Sequence, residues 1–260
     1  INRTGVPVLY MGEVFPDGPP WHYAAVMTAL TTPVGILMAA FGGIVGWIRQ
    51  KAEAPYFIFL VWNIVFWLVL FAFAGKPYDG VRLFLCIFPF IAMLAAAGLS
   101  WAWRRLSAAG MPPWVLGAGL FLFIASQGAG LFLYGPLGLS YYNALAGGLP
   151  GAVRKGFDVT FWGEGSGPEI TDYLNRTAPD GARVAAFPMG ALYVNNIRAF
   201  ALLRMDLAPV NEWDDWDYLV LANRGAYLGG REDLKVLTSG AVAVKTVRGV
   251  PVVWLVERKH

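Results

Sequence analysis

The loop Lys76–Arg82 places charged and aromatic side chains together between two long apolar runs. Its charged and aromatic residues are Lys76, Tyr78, Asp79 and Arg82. Arg presents a planar fork of donors that matches a phosphate group, and Lys supplies a point charge to the same anion. If the apolar runs cross a bilayer, lipid phosphates lie at the depth of this loop. Arg82 and Lys76 are therefore candidate phosphate ligands, with ordinary snorkelling of two interfacial cations as the alternative interpretation.

A second group of polar and aromatic residues precedes the first apolar run. Glu13 lies in this N-terminal segment, and Trp21 and His22 stand immediately before the run. The imidazole of His22 could hydrogen-bond a ligand near neutral pH. Trp and Tyr at the end of an apolar run are also typical of a membrane interface. Both interpretations remain open at this stage.

The remaining residues match few catalytic templates. The chain has two histidines, His22 and His260, and no His-Glu-x-x-His motif or dinucleotide fingerprint. The Asp-x-Asp spacing in Trp213–Asp217 could hold a divalent ion through oxygen ligands, but a polar turn before a strand is the favoured interpretation. Gly163–Pro168 is glycine-rich without the Lys-Ser/Thr of a phosphate loop. The single cysteine, Cys86, excludes an intrachain disulfide, and no metal ligand is assigned.

Hydropathy divides the chain into an apolar first half and a mixed second half. The composition is 57% hydrophobic and 14% charged, whereas soluble domains average about 25% charged residues. A helix needs roughly 20 apolar residues to cross a membrane. Four runs meet that length and are apolar on all sides, which predicts an α-helical integral membrane bundle over residues 23–134, after a loop over residues 1–22. The runs are Tyr23–Ile48, Tyr56–Ala74, Leu83–Trp103 and Trp114–Tyr134.

The short connections between these runs indicate an orientation, because cytoplasmic loops carry an excess of Lys and Arg. The first and third connections contain Arg49, Lys51, Arg104 and Arg105 against Glu53. We therefore expect both connections in the cytoplasm. The N-terminal loop, the Lys76–Arg82 loop and the C-terminal domain are then extracytoplasmic.

Residues 135–260 have the pattern of a small soluble α/β or α+β domain. Pro168–Thr177 has helical spacing of apolar residues, and Arg183–Phe187 and Tyr218–Ala222 are short apolar strands. Ala241–Val247 and Val250–Glu257 flank Arg248-Gly249, which indicates a hairpin. Acidic and basic residues balance after Gly135, so nothing predicts a nucleic-acid partner.

Several short segments, taken in order along nearly the whole chain, resemble the C-terminal half of a bacterial membrane glycosyltransferase of the GT-C superfamily. The branch is glycosyltransferase family 39, the protein-mannosyltransferase-like enzymes, which are related to aminoarabinose transferases. Each segment is short, so the resemblance points to the family and not to a substrate. The segments are Gly12–Phe15, Pro19–Tyr23, Thr31–Pro33, Tyr78–Pro89, Leu139–Asn143, Gly147-Gly148, Phe161–Glu164, Tyr173–Gly181 and Tyr218–Arg224.

This resemblance implies an enzyme of the bacterial plasma membrane. Such enzymes transfer a sugar from a polyprenyl-phosphate donor to a lipid, glycan or protein acceptor on the extracytoplasmic side. Their catalytic carboxylate lies in an early outer loop, and no position here matches it. We therefore expect the chain to be inactive by itself. The family commonly has His after the loop arginine, whereas this chain has Leu83.

The resemblance also implies roles for the visible residues. Arg82, with Lys76 second, would hold the donor phosphate. The residues expected to line the sugar or acceptor cavity are Tyr78, Asp79, Trp21, His22 and Glu13. The donor lipid is a substrate, no cofactor is assured, and the need for a divalent metal stays open. The competing hypothesis is a non-catalytic, membrane-anchored binding or assembly protein; a transporter is disfavoured because the span interiors are uncharged.

Overall fold

A computed structural model describes residues 5–50, 54–75, 77–135, 137–161 and 165–258. Internal contacts divide the chain into two units, Ile1–Val6 with Asp17–Gly148 and Pro7–Pro16 with Leu149–His260. The first unit is helical, and its elements are α1 (Tyr23–Thr31), α2 (Val34–Gln50), α3 (Ala54–Phe73), a 3₁₀ helix (Arg82–Ile87), α4 (Phe88–Ala108), α5 (Pro113–Tyr134) and a 3₁₀ helix (Gly138–Ser140).

The second unit contains every strand that the structure describes. Its strands are β1 (Val8–Tyr10), β2 (Glu13–Phe15), β3 (Arg183–Phe187), β4 (Ala208–Val210), β5 (Tyr218–Ala222), β6 (Ala241–Val247) and β7 (Val250–Glu257). Its helices are α6 (Gly148–Arg154), α7 (Pro168–Thr177), α8 (Gly190–Ala199), α9 (Gly225–Leu228), α10 (Glu232–Leu237) and a 3₁₀ helix (Thr238–Gly240).

Long apolar helices confirm the predicted helical bundle, with one difference at the first run. Among the residues described, Pro55–Phe73, Arg82–Ala108 and Pro113–Tyr134 are each long and apolar enough to cross a membrane. The predicted first span is instead two helices, α1 and α2, which meet at an angle of 110°. Among the described residues there are therefore three candidate spans, or four if this bent pair is one broken span.

The break between α1 and α2 has a local cause. Pro33 has no N–H, and its ring forces the preceding residue out of the helical region. Thr32 accordingly has extended dihedrals, φ −83° and ψ 132°. Its hydroxyl donates to the carbonyl of Thr28 at 2.6 Å, and that of Thr31 donates to Met27 at 2.7 Å. The carbonyl of Thr28 also accepts from the N–H of Thr32 at 3.1 Å, so the Thr32 hydroxyl adds a second bond to it and does not replace a donor lost at the break.

Glycines allow α2 and α4 to approach closely along their length. A methyl group at Gly98 would overlap the carbonyl oxygen of Ala39 and lie 2.6 Å from the nitrogen of Gly43. One at Gly46 would lie 2.7 Å from the ring of Trp101. The contacting positions rise together in both helices, so α2 and α4 run in the same direction. Small residues at a helix crossing are typical of membrane bundles.

This parallel packing places the ends of the two helices together. Arg49 lies in the last turn of α2, and Arg104 and Arg105 lie in the last turns of α4. Because the helices run in the same direction, all three cations lie at one end of the first unit. Arg82 begins the Arg82–Ala108 run and therefore lies at the other end.

The second unit is built on a five-stranded sheet with the order β4-β3-β5-β7-β6. β3 is parallel to β4 and β5, whereas β7 is antiparallel to β5 and β6. The predicted helix, strands and hairpin are all present with the predicted bounds. Short strand β4 and helices α8, α9 and α10 were not predicted.

Helices cover both faces of this sheet. Ile170 and Val194, from α7 and α8, pack with one set of strand residues that includes Val220. Leu228 and Leu234, from α9 and α10, pack with the alternate set on the other face. Since β5 is buried on both faces, its five residues are all apolar.

A hairpin from the N-terminal segment belongs to the second unit. β1 and β2 pair with each other, and Gly12 donates its N–H to the carbonyl of Gly156 at 3.0 Å. The ring of Tyr10 also meets that of Phe157 edge-on at 5.5 Å. By internal contacts the boundary between the units thus lies after Gly148, and the segment expected to be a plain loop contributes a strand pair.

Candidate functional site

The turn between α3 and α4 holds a charged pair in a left-handed backbone. Asp79 and Gly80 have φ values of 56° and 66°. This conformation is more accessible to Asp than to most other non-glycine residues. It buries the Asp79 carboxylate, which is 3% exposed, and places its Oδ2 3.7 Å from the Nη2 of Arg82. The guanidinium of Arg82 is 31% exposed, so it combines a fixed anchor with access to the exterior.

A hydrogen bond connects this turn to the start of the broken helix pair. The N–H of Gly80 donates to the hydroxyl of Tyr23 at 3.2 Å. Tyr23 is buried, and its ring meets that of Phe84 edge-on at 6.5 Å. The turn and the first residue of α1 are therefore held together, although they are 57 positions apart in sequence.

Trp21 and His22 lie directly before Tyr23 and so beside this connection. Their rings meet edge-on at 5.3 Å, and the Trp21 side chain is 65% exposed. Tyr78 is half-buried and immediately precedes the left-handed turn. The structure thus groups five predicted residues in the first unit through the Tyr23–Gly80 bond. We call Trp21–Tyr23 with Tyr78–Arg82 the turn site.

Two predicted residues are not part of the turn site. Glu13 lies on β2 in the second unit with an exposed side chain. Lys76 lies outside the residues that the structure describes. The geometry of the turn site therefore rests on Arg82 and its neighbours.

Asn143 stabilises the bend between α1 and α2. The sequence did not single it out as a site residue. Its side-chain amide donates to the carbonyls of Ala29 at 2.7 Å and Thr32 at 2.6 Å. Its backbone N–H donates to Leu30 at 2.8 Å. These three carbonyls belong to the bend between α1 and α2, where Pro33 interrupts the helical ladder. Asn143 thus replaces lost intrahelical donors, as buried backbone requires.

One signal in the sequence pointed to such a support. Thr31-Thr-Pro33 inside an apolar run predicts interrupted hydrogen bonds that need partners from elsewhere. An amide side chain carries two donors and suits that task. The sequence offered no means of pairing Asn143 with a bend more than 100 residues earlier, and that pairing needed the tertiary structure.

The turn site can bind an anion at the edge of an apolar helix. Arg82 has five N–H donors, and Asp79 contacts it through one nitrogen at a distance longer than a hydrogen bond. The Asp79 carboxylate therefore orients the planar guanidinium fork of Arg82. A phosphate or carboxylate is the matching ligand for such a fork.

The second unit contains a buried carboxylate, Asp158, with a structural role. Its oxygens accept from the N–H groups of Leu9 at 3.3 Å and Ala226 at 3.2 Å. Burial raises the pKa of Asp158 to about 6, against the lowering effects of Arg224 and of these backbone N–H groups. Because it bonds both β1 and α9, Asp158 ties the N-terminal hairpin to the body of this unit.

The Asp-x-Asp segment forms ion pairs, in agreement with the polar-turn interpretation. Asp215 contacts Arg183 at 3.6 Å and Arg258 at 2.6 Å, and Asp217 bonds Arg183 at 2.9 Å. The Arg258 and Arg183 guanidinium groups hold the pKa of Asp215 below its usual range. Among the described residues, no group of three His, Cys, Asp or Glu side chains is placed to hold a metal ion.

No protein-family model, curated protein or solved structure matches this chain.

Proposed function

We propose that this protein takes part in transferring a sugar from a polyprenyl-phosphate donor to an acceptor on the outer face of a bacterial plasma membrane. The family-level motifs support this proposal. The single observation that carries it is the turn site, where Asp79 orients an accessible Arg82 at the start of an apolar span. A donor phosphate at the membrane interface is the anion that such an arrangement fits best.

The position of Arg82 along the chain supports a lipid phosphate over a soluble anion. Arg82 is the first residue of the Arg82–Ala108 run, so its guanidinium lies at headgroup depth if that run spans the membrane. The polyprenyl tail would then lie in the hydrocarbon beside the apolar helices. A soluble anion has no apolar tail and would gain no binding energy from the apolar helices beside Arg82.

The chemistry of the transfer gives Arg82 a specific role. Cleavage of the sugar–phosphate bond leaves negative charge on the departing polyprenyl phosphate. A cation fixed in advance stabilises that charge without reorganising during the reaction. Asp79 holds the Arg82 guanidinium in place, and the hydrogen bond from Gly80 to Tyr23 holds the turn against α1. In this proposal, Trp21, His22 and Tyr78 contact the sugar or the acceptor.

Binding of the carrier tests the proposal directly and does not require turnover. The detergent-solubilised chain is titrated with a polyprenyl phosphate and, as control, with the corresponding polyprenol. Arg82→Ala should weaken binding of the phosphate about tenfold or more, because a charge-assisted hydrogen bond contributes about 1.5–3 kcal/mol. Binding of the polyprenol should be unchanged.

Two further variants separate charge from geometry. Arg82→Lys keeps the cation but loses the planar fork, so it should bind the phosphate less tightly than the wild type. Asp79→Asn should weaken binding less than Arg82→Ala, because it loosens the fork without removing it. Equal affinity for phosphate and polyprenol in the wild type would refute the assignment.

A non-catalytic binding protein is the second candidate, and one observation favours it. The segment Gly190–Met205 of the second unit exposes large apolar side chains, namely Leu192, Phe200, Leu202 and Met205. Exposed apolar clusters often mark interaction surfaces. A partner captured through these residues, together with no discrimination between polyprenyl phosphate and polyprenol, would favour this candidate.

A further inference from the structure

An apolar cleft lies between α4 and α5, at the end of the bundle opposite to the turn site. Its volume is about 770 Å³, within the range of small-molecule and lipid-chain sites. Side chains from both helices and from the connecting turn line it, and nearly all are apolar. The principal wall residues are Leu99, Trp103, Leu106, Leu116, Leu120 and Phe123.

A single cation stands in this apolar wall. Arg104 lines the cleft with an exposed side chain. Within the described part of the chain, it forms no hydrogen bond, ion pair or ring contact. Its neighbour Arg105 behaves differently, because its guanidinium lies 5.8 Å from the centre of the Trp101 ring. Arg104 is therefore available to an anion at the cleft, whereas Arg105 is already placed against an aromatic face.

The dimensions of the cleft match one leaflet of a bilayer. On α5, the lining extends from Val115 to Phe123, which is about 12 Å at the helical rise of 1.5 Å per residue. One leaflet contributes about 15 Å of a 30 Å hydrocarbon core. Arg104 lies 16 residues after Phe88, the first residue of α4, or about 24 Å along that helix, and Arg82 lies before α4 at the start of the preceding 3₁₀ helix. The two arginines thus address opposite leaflets.

We propose that this cleft binds one acyl chain of an anionic glycerophospholipid, whose phosphate pairs with Arg104. The apolar wall of the cleft suits the acyl chain of the lipid, and the Arg104 guanidinium suits the negative charge of the lipid headgroup. Basic pockets between membrane helices on the side rich in Lys and Arg are typical of such lipids. Arg49 and Arg105 at the same end of the bundle add to the local positive field. This site is separate from the turn site and does not depend on the proposed transferase function.

Lipid retention measured by native mass spectrometry tests this site. The detergent-purified full chain is incubated with dioleoyl phosphatidylglycerol or with dioleoyl phosphatidylcholine, which have identical acyl chains and differ in headgroup charge. The wild type should retain phosphatidylglycerol about tenfold better than phosphatidylcholine. Arg104→Gln should remove that preference. Arg105→Gln is the matched control, since it removes the same charge one residue away and should leave the preference in place.

A second pair of variants tests the cleft without changing charge. Gly119 lines the cleft, and a side chain there meets no atom within 4 Å, so Gly119→Phe fills the space without a clash at its Cβ. It should lower retention of both lipids. Gly117 lies two positions earlier, is equally unobstructed and is not in the lining, so Gly117→Phe should have no effect.

Three outcomes would overturn the proposal. Equal retention of the two lipids by the wild type would show that headgroup charge is not recognised. An equal loss of preference in Arg104→Gln and Arg105→Gln would indicate a diffuse field with no site at Arg104. A Gly119→Phe variant that retains lipid but loses self-association would show that a second copy of the chain occupies the cleft.

Discussion

Replacing Gly98 by Ala should destabilise the helical unit, although alanine is the better helix former. A methyl group at this position would overlap the carbonyl oxygen of Ala39 and lie 2.6 Å from the nitrogen of Gly43. Carbon–oxygen contacts between close helices are ordinarily about 3.3–3.6 Å. The backbones of α2 and α4 would therefore have to separate by about 1 Å or more. No flexible side chain stands at this contact to absorb the change.

The size of the effect follows from two opposing contributions. Overpacking a tight contact costs about 1–3 kcal/mol, and the upper part of that range applies because both obstacles are backbone atoms. The higher helix propensity of alanine stabilises the helix by about 0.5–1 kcal/mol relative to glycine. The net loss is about 2 kcal/mol. For a unit of this size, it corresponds to a midpoint lower by about 4–8 °C.

Thermal unfolding in detergent, followed by tryptophan fluorescence at one scan rate, measures this change. Gly117→Ala is the matched control, because a methyl group there meets nothing within 4 Å. Helix propensity alone then predicts a midpoint equal to or slightly above that of the wild type. The two substitutions are chemically identical, so opposite signs isolate the contact. A Gly98→Ala midpoint equal to that of Gly117→Ala would refute the close approach of α2 and α4.

Two further predictions concern the polar groups that the structure buries. Asn143→Leu leaves the carbonyls of Ala29 and Thr32 without its amide donors, and each such loss costs about 1–3 kcal/mol. Asn63→Leu is its control, since Asn63 is bonded to a carbonyl of its own helix and is exposed. Similar thermal unfolding midpoints for the two variants would contradict the stabilising role of the Asn143 bonds. Asp158 has a pKa raised from 3.8 to about 6 by burial, so the folded protein holds this proton more tightly than the unfolded chain. Its contribution to stability is therefore lost as the pH rises from about 4 to about 6, by about 3 kcal/mol. Asp158→Asn should flatten the stability profile in that window, and an unchanged slope in urea unfolding would show that another group titrates there.

Features that depend on short stretches of sequence were predicted with correct bounds. Pro168–Thr177, Arg183–Phe187 and the hairpin around Arg248-Gly249 follow from helical spacing, apolar runs and turn residues. The long apolar helices follow from length and hydropathy. Only the first run was wrong as a single helix. Thr31–Pro33 carried the signal for a break, but the angle of 110° depends on what packs around it.

The sequence singled out most residues of the turn site but not their arrangement. Arg82 and Asp79 are three positions apart, so their pairing required little beyond local geometry. The left-handed conformation that buries the carboxylate of Asp79, and the bond from Gly80 to Tyr23, were not visible in the sequence. The grouping of Glu13 with the other candidates also rested on sequence order alone. Glu13 lies on β2 of the second unit, and its predicted role stays a prediction.

By itself, the sequence determined that this protein is a set of apolar membrane-length helices followed by a small sheet domain. Those properties arise from hydropathy and periodicity over stretches of 5 to about 20 residues, and each stretch carries its own evidence. The tertiary structure alone decided which polar groups support one another. Asn143 bonds a carbonyl 111 positions away, and Asp158 bonds an N–H 149 positions away. Such bonds form because buried carbonyls, N–H groups and carboxylates must find partners, and only the folded arrangement of the chain determines which partners are within reach.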